Sequence, residues 1–167
     1  ANIHDINTIR KHCSDIKGGK FGQRVTRKGG TLVSLILSDV VGDDLSAIAS
    51  GPSYKDDSTF ADTVRLMKQY GIWEEAPQSV RDHMNKGLQD ASLEPPREGP
   101  AGVYNYLIGN NLGALEAAKA IAVRNGFNTT ILTSQNTGEA KIIAKAYMGI
   151  AKEIQDSQNP MKAPACL

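Results

Sequence analysis

Two hydrophobic patterns run along the chain, and each predicts a different kind of element. Short runs rich in leucine, β-branched and aromatic residues cover residues 31–38 (TLVSLILS), 103–110 (VYNYLIGN) and 128–134 (NTTILTS), which is typical of strands. The first run is apolar almost throughout, as in a strand that is covered on both faces. We therefore expect 31–38 to be a central, parallel strand.

Apolar residues spaced three and four positions apart predict helices at both ends of the first half of the chain. The first stripe, over residues 3–16, consists of Ile3, Ile6, Ile9, Cys13 and Ile16. Gly18 and Gly19 then end that helix. Residues 56–72 predict a clearer helix that ends at Gly71 and turns four side chains inward: Phe60, Val64, Leu66 and Met67.

Three more helices are predicted further along the chain. One covers 76–88 and starts at Pro77, because proline is favoured at the first helical position. An alanine-rich helix covers 111–126. The last covers 137–157, with Thr137 as its N-cap.

Strands and helices alternate in this order, which is the pattern of βαβ units with parallel strands and right-handed crossovers. We therefore predict an α/β fold: a doubly wound, mainly parallel, Rossmann-like sheet with helices on both faces. Residues 89–102 contain three prolines and two glycines, and we expect a loop or hinge there.

The composition is that of an ordinary soluble protein with one compact domain, or of one large piece of a bigger protein. The 167 residues are 40% hydrophobic and 22% charged, and the net charge is +1. Such a small charge provides no field to steer nucleic acid or an anionic membrane.

No apolar run approaches the ~20 residues that span a bilayer, and Cys13 and Cys166 lack metal-type spacing. We expect a cytoplasmic protein that binds neither nucleic acid nor membrane.

The two ends of the sequence suggest a fragment. The chain starts without methionine, and the apolar residues 165–167 follow a proline, as at the start of another strand.

Polar loops follow each of the three predicted strands, and ligands of open parallel sheets bind at those strand ends. Asp39 comes directly after the first strand, where a carboxylate can ligate Mg²⁺ or accept a hydroxyl proton. Asp43 and Asp44 add negative charge that suits a cation, although either one can instead cap a short helical turn over 45–49.

Backbone N–H groups provide candidate anion sites in two of the loops. Those of Ser50, Gly51 and Ser53 could form a small nest, or belong to an ordinary turn. Asn110 and Asn111 start the alanine-rich helix, where the dipole attracts anions. An N-cap asparagine is the alternative for that position.

Two basic residues near the start of the chain are candidates for binding phosphate or carboxylate. Lys17 precedes two glycines, so its ammonium lies close to flexible backbone, and Arg10 lies about two turns earlier. A solvated helix end is the alternative for Lys17. The chain contains no GxxxxGK[ST], GxGxxG, HExxH or GxSxG motif, so a P-loop kinase, a standard dinucleotide site, a zincin and an α/β-hydrolase are unsupported.

Taken together, the segments INTIRKHCSDIKGGK, LILSDVVGDDLSAIASGP, DDSTFAD, LIGNNLGALEAAKAIA and ILTSQNTGEAKIIA resemble the glycerate 2-kinase family, some members of which are labelled hydroxypyruvate reductases. The resemblance covers almost the whole chain. It implies a two-domain α/β enzyme that transfers the γ-phosphoryl group of ATP to the 2-hydroxyl of D-glycerate with Mg²⁺. It also implies that residues 1–167 are the later part of the large N-terminal domain, and that this piece alone is inactive.

The resemblance also implies roles for the candidate residues. Asp39 and Asp43 are assigned to Mg²⁺ or to the substrate hydroxyl, and we expect them to be catalytic together with Lys17. Arg10 and Lys17 would neutralise the glycerate carboxylate or the phosphates. Hydrogen bonds to phosphate or substrate are assigned to four residues: Ser50, Gly51, Asn110 and Asn111.

Two competing functions remain from the sequence. One is an NAD(P)H-dependent hydroxypyruvate reductase, which the absence of GxGxxG disfavours. The other is a non-catalytic α/β module for ligand binding or subunit contact. A homodimer is a candidate assembly.

Overall fold

The computed structural model describes residues 2–167, in which the chain forms six α-helices and four β-strands. The helices are α1 (Ile3–His12), α2 (Lys20–Arg27), α3 (Phe60–Gln69), α4 (Gln78–Gln89), α5 (Asn111–Arg124) and α6 (Ala140–Ser157). The strands are β1 (Leu32–Leu37), β2 (Val103–Gly109), β3 (Asn128–Thr129) and β4 (Ala165–Cys166). Short 3-10 turns cover Ile48–Ser50 and Ala91–Leu93.

The strands form two parallel pairs. β1 pairs with β2, and β3 pairs with β4 in parallel register. β1 and β2 also run in the same direction, because Leu32 N donates to Gly102 O near the start of both strands and Ser38 N donates to Gly109 O near their ends, both at 2.9 Å. Parallel strands joined through helices confirm the predicted α/β class.

Two of the strand predictions need correction. One face of β1 is exposed, with Val33, Leu35 and Leu37 at 57%, 67% and 73% exposure, so the predicted coverage on both faces is wrong. No part of the described chain packs on that face. The third strand is limited to β3, and residues 130–134 are irregular. The predicted start of another strand near the C-terminus is confirmed, since β4 forms there.

The chain divides into two compact units. Unit 1 contains the chain up to Ile36 together with Asp44–Ile108, and unit 2 contains Leu37–Asp43 and Gly109–Leu167. The predicted loop over 89–102 lies inside unit 1 and includes the second 3-10 turn.

The core of unit 1 lies between helices α1, α3 and α4. Phe60 and Met84 are completely buried there and pack with Val64 and Met67. The Phe60 ring makes an edge-on contact with the ring of His12, with ring centres 4.7 Å apart. The four side chains predicted to face inward from α3 are all buried, so that prediction is confirmed.

The fully buried side chains of helix α1 are polar, although Ile9 of the predicted apolar stripe packs against the core cluster. The buried residues of the helix are Asn7, Thr8, Lys11 and His12, whereas Ile3 is 63% exposed. The helix also ends at His12, so Ile16 of the predicted stripe lies beyond it and is half exposed. The buried polar groups are satisfied by partners that are remote in sequence; Lys11 Nζ, for example, lies 3.0 Å from Asp56 Oδ1. Such partners cannot be read from the spacing of apolar residues.

Two further details of the helices differ from the predictions. Helix α2 was not predicted, because its sequence KFGQRVTR has few apolar residues. Helix α6 is preceded by Glu139 as its N-cap residue, without a side-chain hydrogen bond, so the prediction of Thr137 as the cap is wrong. Helices α3, α4 and α5 lie where they were predicted.

Unit 2 contains β3, β4, α5 and α6. Among the described residues, Ile154 is the single buried hydrophobic side chain of this unit. Across residues 2–167, no helix combines the length and apolar character that crossing a membrane requires.

Candidate functional site

The predicted site residues form two groups, one in each unit. Unit 2 holds Asp39, Asp43, Asn110 and Asn111, and unit 1 holds Arg10, Lys17, Ser50 and Gly51.

In unit 2, three loops that follow predicted strands line one small cavity of about 140 Å³. Residues 40–43 follow β1, residues 110–112 follow β2, and residues 134–135 come from the loop between β3 and α6. This is the convergence expected of the carboxyl ends of parallel strands.

Among the described residues, Asp43 is the one acid that lines this cavity. Its Oδ2 accepts a hydrogen bond of 2.7 Å from Asn110 Nδ2. The Ser38 hydroxyl is a second donor; it also lies 3.3 Å from Val40 O, and its single hydrogen can turn to either acceptor. Hydrogen bonds from Ser38 and Asn110 lower the pKa of Asp43 below its ordinary value of 3.8, so the carboxylate stays ionised to a lower pH than an ordinary aspartate does.

Asn110 joins the Asp43 loop to the start of helix α5. Its Oδ1 accepts a hydrogen bond from Gly113 N, which makes it the N-cap of the helix, while its Nδ2 donates to Asp43. Both ends of the amide are therefore engaged within the protein. The N-cap alternative is the one that the structure contains.

Asn111 and Leu112 carry the first two N–H groups of α5 and line the same cavity. The first four N–H groups of a helix have no partner within it. Here Gly113 N, the last of the four, is capped by Asn110, and the regular hydrogen bonds of the helix begin with Ala114 N, which donates to Asn110 O. The N–H groups of Asn111 and Leu112 are thus the ones that a bound anion could meet.

Asp39 and Asp44 lie at opposite ends of the same acidic segment. The Asp39 side chain is exposed, and its backbone carbonyl lies 3.4 Å from Asn111 Nδ2. Asp44, in unit 1, accepts hydrogen bonds from both the N–H and the hydroxyl of Ser46, at 2.9 and 3.0 Å. Asp44 therefore takes the turn-capping role.

In unit 1, Lys17 lies against a segment of unusual backbone conformation. Residues Ala49, Ser50 and Gly51 have φ values of 51°, 62° and 60°, all in the left-handed region. Left-handed backbone costs roughly 1–2 kcal/mol for a residue other than glycine. Lys17 Nζ donates to the carbonyl of Ala49 at 3.1 Å.

The polar groups of Ser50 and Gly51 are used inside this segment. Ser50 N donates to Ala47 O, and Gly51 N donates to Ile48 O. The Ser50 hydroxyl donates to Asn7 Oδ1 at 3.0 Å, and the Ser50 side chain is buried. In this conformation the two N–H groups do not form the anion nest considered for them, and Ser50 and Gly51 act as supports.

Two other basic side chains near Lys17 differ in their surroundings. Lys20 Nζ donates to Lys11 O and Ser14 O, both at 2.9 Å, at the end of α1. Burial lowers the pKa of Lys20, and nearby carboxylates partly oppose that effect. Arg10 is exposed in the last turn of α1. Lys17 is therefore the lysine of the KGGK sequence that is better placed to meet a ligand.

The unit 2 loops offer oxygen ligands but not a complete metal site. Among residues 2–167, no group of three or more His, Cys, Asp or Glu side chains could hold a metal ion. Magnesium is usually bound by one or two carboxylates together with waters and substrate phosphates. Asp43, the carboxylate that lines the cavity, fits that kind of ligation.

Sequence reasoning missed several residues of these sites, among them Leu112, whose N–H lies at the start of α5. Ser134 and Gln135 line the unit 2 cavity; their loop was identified as polar, but no residue in it was selected. Asn7 bonds to Ser50 across 43 positions of sequence, and no local signal predicts that contact.

Comparison with known proteins shows that residues 1–85 match a protein family described as Domain of unknown function (DUF4147). The chain is 44% identical over its whole length to a protein of Pyrococcus horikoshii named Glycerate 2-kinase, and 38% identical to a protein of Thermotoga maritima named D-glycerate 2-kinase. The chain spans 37% of the length of each.

Two crystal structures share the fold. One is of a Pyrococcus horikoshii protein, with a TM-score of 0.70 and 44% identity, and the other is of a glycerate kinase from Thermotoga maritima, with a TM-score of 0.74 and 38% identity. Each comparison covers 99% of this chain and 37% of the other chain.

Proposed function

Because the chain belongs to the DUF4147 family, we propose that it forms part of a glycerate kinase. In this proposal the γ-phosphoryl group of ATP is transferred to the 2-hydroxyl of D-glycerate, with Mg²⁺, in a polypeptide of the relatives' length. The names of the two relatives support the glycerate kinase activity. The observation that carries the site assignment is the cavity at which the three loops of unit 2 meet.

The acids of unit 2 are assigned to the metal and the substrate hydroxyl. The hydrogen bond from Asn110 holds the Asp43 carboxylate and favours its charged form, which suits a ligand of a cation. Asp39, exposed at the end of β1, is the candidate for a second ligand or for the group that accepts the hydroxyl proton. When bound, Mg²⁺ would neutralise charge on the transferred phosphoryl group.

The N-terminus of α5 is assigned to phosphate or carboxylate oxygens. The N–H groups of Asn111 and Leu112 and the partial positive charge of the helix end support this assignment. Asn110 acts by holding Asp43 and capping the helix.

The basic residues of unit 1 are assigned to the anionic charge of the substrates. The Lys17 ammonium donates a hydrogen bond to the Ala49 carbonyl, which supports a fixed position for its charge. Arg10 is a second, exposed candidate for the same role. Phosphoryl transfer depends mainly on positioning and charge neutralisation, so we expect the 167 residues alone to be inactive.

The test is glycerate-dependent release of ADP by the longer protein. We expect Lys17→Ala and Asp39→Asn each to lower kcat/KM on the order of 100-fold or more, because each removes a charge that stabilises the transition state. Lys28→Ala is the matched control for the lysine, since Lys28 is exposed at the end of α2. Asp44→Asn is the control for the acid, since asparagine keeps the oxygen that caps the turn.

If both site variants kept the wild-type kcat/KM, the assignment of Lys17 and Asp39 to the site would be wrong. Two further measurements on the longer protein distinguish the two competing functions from a kinase. Oxidation of NADH with hydroxypyruvate, without ADP release, would identify a reductase. No thermal stabilisation by ATP or by glycerate would indicate a non-catalytic module.

A further inference from the structure

The left-handed segment formed by Ala49, Ser50 and Gly51 needs an external constraint. Of its three residues, only glycine adopts this conformation without strain. Alanine and serine there persist only if the surrounding structure holds them. The contacts of the segment therefore identify the group that holds it in this conformation.

The side-chain amide of Asn7 contacts the segment at two points. Its Oδ1 accepts the hydrogen bond from the Ser50 hydroxyl at 3.0 Å, and its Nδ2 donates to Ala47 O at 3.3 Å. Asn7 is 6% exposed and Ser50 is 3% exposed, so water cannot readily replace these bonds. One buried amide thus bridges the left-handed residue and the turn before it.

The same segment is tied to the backbone around Lys17. Gly18 N donates to Ser50 O at 2.9 Å, and Gly19 N donates to Gly51 O at 2.7 Å. The Lys17 ammonium donates to the Ala49 carbonyl. Any change in the conformation of the segment therefore moves the acceptor that holds Lys17.

We propose that Asn7 is a positioning residue: by holding Ser50 in the left-handed conformation, it fixes the Ala49 carbonyl and with it the Lys17 ammonium. The inference rests on the proposed role of Lys17 in glycerate phosphorylation. Asparagine suits the position because it both accepts from a hydroxyl and donates to a carbonyl. Aspartate would place an acceptor against Ala47 O, and alanine would offer neither group.

The first measurement is amide hydrogen exchange on the 167-residue chain, which needs no activity. We expect Asn7→Ala to speed exchange of Gly18 N and Gly19 N at least tenfold, because their acceptors lie on the released segment. Ser50→Ala should have a similar effect, and the two changes together should add little, since both remove the same hydrogen bond between Asn7 and Ser50. Asn85→Ala, at an exposed position of α4, is the matched control and should leave these amides unchanged.

Rescue by glycine separates positioning from general destabilisation. In the Asn7→Ala background, Ser50→Gly should restore slow exchange, because glycine adopts positive φ without the hydroxyl bond. In the longer protein, Asn7→Ala should lower kcat/KM about tenfold, and the added Ser50→Gly should return it to within about threefold of the wild type. A merely structural role for Asn7 predicts no rescue, since the lost hydrogen bond stays lost.

Two outcomes would overturn the inference: unchanged exchange of Gly18 and Gly19 in Asn7→Ala, or failure of Ser50→Gly to rescue both exchange and kcat/KM. Failure of the proposed function is a separate result. It would appear as wild-type longer protein that releases no ADP with glycerate, whatever the exchange rates are.

Discussion

At the scale of single residues, Asp43 is a carboxylate whose charged form is stabilised by neighbouring donors. Its backbone is left-handed, with φ of 55°, a conformation that aspartate tolerates better than most residues. Its carboxylate meets donors from Ser38 and Asn110, which come from the ends of the two neighbouring strands. Only the Asn110 contribution to the lowered pKa depends on strand pairing, because Ser38 lies five positions before Asp43 in the chain.

We predict that Asn110→Ala raises the pKa of Asp43 towards 3.8, because the carboxylate loses a donor that stabilises its charged form. A carbon-detected NMR titration of the Asp43 carboxyl group measures this. Asn111→Ala is the matched control, since the Asn111 amide faces the Asp39 carbonyl instead. Equal pKa values for Asp43 in the wild type and Asn110→Ala would contradict the assignment.

The same shift determines the sign of the pH dependence of stability. The folded-state pKa of Asp43 lies below its unfolded value, so its hydrogen bonds stabilise the fold fully above the unfolded value. That contribution is lost as the pH falls through the folded pKa. The free energy of unfolding of the wild type should therefore decrease more on acidification below about pH 4 than that of Asn110→Ala, as measured by urea titration at a series of pH values.

At the scale of elements, the contact between α3 and α4 depends on a missing side chain. A Cβ atom added at Gly87, in α4, would lie 2.3 Å from the Phe60 ring. Phe60 is completely buried, so its ring cannot move aside without displacing the core. Glycine is unfavourable inside a helix by about 1 kcal/mol, and here that cost permits close packing.

We predict that Gly87→Ala lowers the free energy of unfolding by about 1–3 kcal/mol, because overpacking outweighs the gain in helix propensity. Gly149→Ala is the matched change in α6, where an added Cβ meets no described atom within 4 Å. That variant should be more stable by about 0.5–1 kcal/mol. Urea unfolding followed by circular dichroism compares the two. If Gly87→Ala were as stable as Gly149→Ala, the close packing of Phe60 on α4 would be wrong.

At the scale of the whole molecule, apolar burial is unevenly distributed. Unit 1 buries Phe60, Val64, Met67 and Met84 in one cluster, whereas Ile154 is the single buried hydrophobic residue described in unit 2. Apolar area removed from water is the main stabilising contribution in folding. The two units should therefore differ in local stability.

We predict that backbone amides in α3 and α4 exchange at least tenfold more slowly than those in α5 and α6, after correction for intrinsic rates. Hydrogen exchange measured by NMR on the 167-residue chain tests this. Equal protection in the four helices would contradict the uneven distribution of burial.

Much of the fold could be predicted from the spacing of apolar residues. Helices α3, α4 and α5 lie where the pattern predicted them, because in each the local preference and the final packing agree. Helix α1 was located, but of its predicted apolar stripe Ile9 packs against the core cluster while Ile3 is exposed. The polar face is inside because Asp56, Glu94 and Ser50, all distant in sequence, supply partners for it.

Part of the candidate site could be predicted from the order of strands along the chain. Strand ends of parallel pairs meet, so the chain order alone indicated that the loops after the strands belong together. The roles of Asn110 and Ser50 could not be read in this way. Their polar groups are used by Asp43 and Asn7, and only the three-dimensional positions of those partners decide whether an amide or a hydroxyl is available to a ligand.

The sequence by itself determined the α/β class, the places of α3, α4 and α5, and the loops that carry the acids, because these depend on local periodicity and on chain order. Tertiary structure decided which face of α1 is buried, which partners hold the 49–51 segment, and which distant donor, Asn110, helps to lower the pKa of Asp43. Each of these depends on hydrogen bonds between residues that are distant in sequence, such as His12 and Glu94, which are 82 positions apart. Such contacts exist only after the chain has folded.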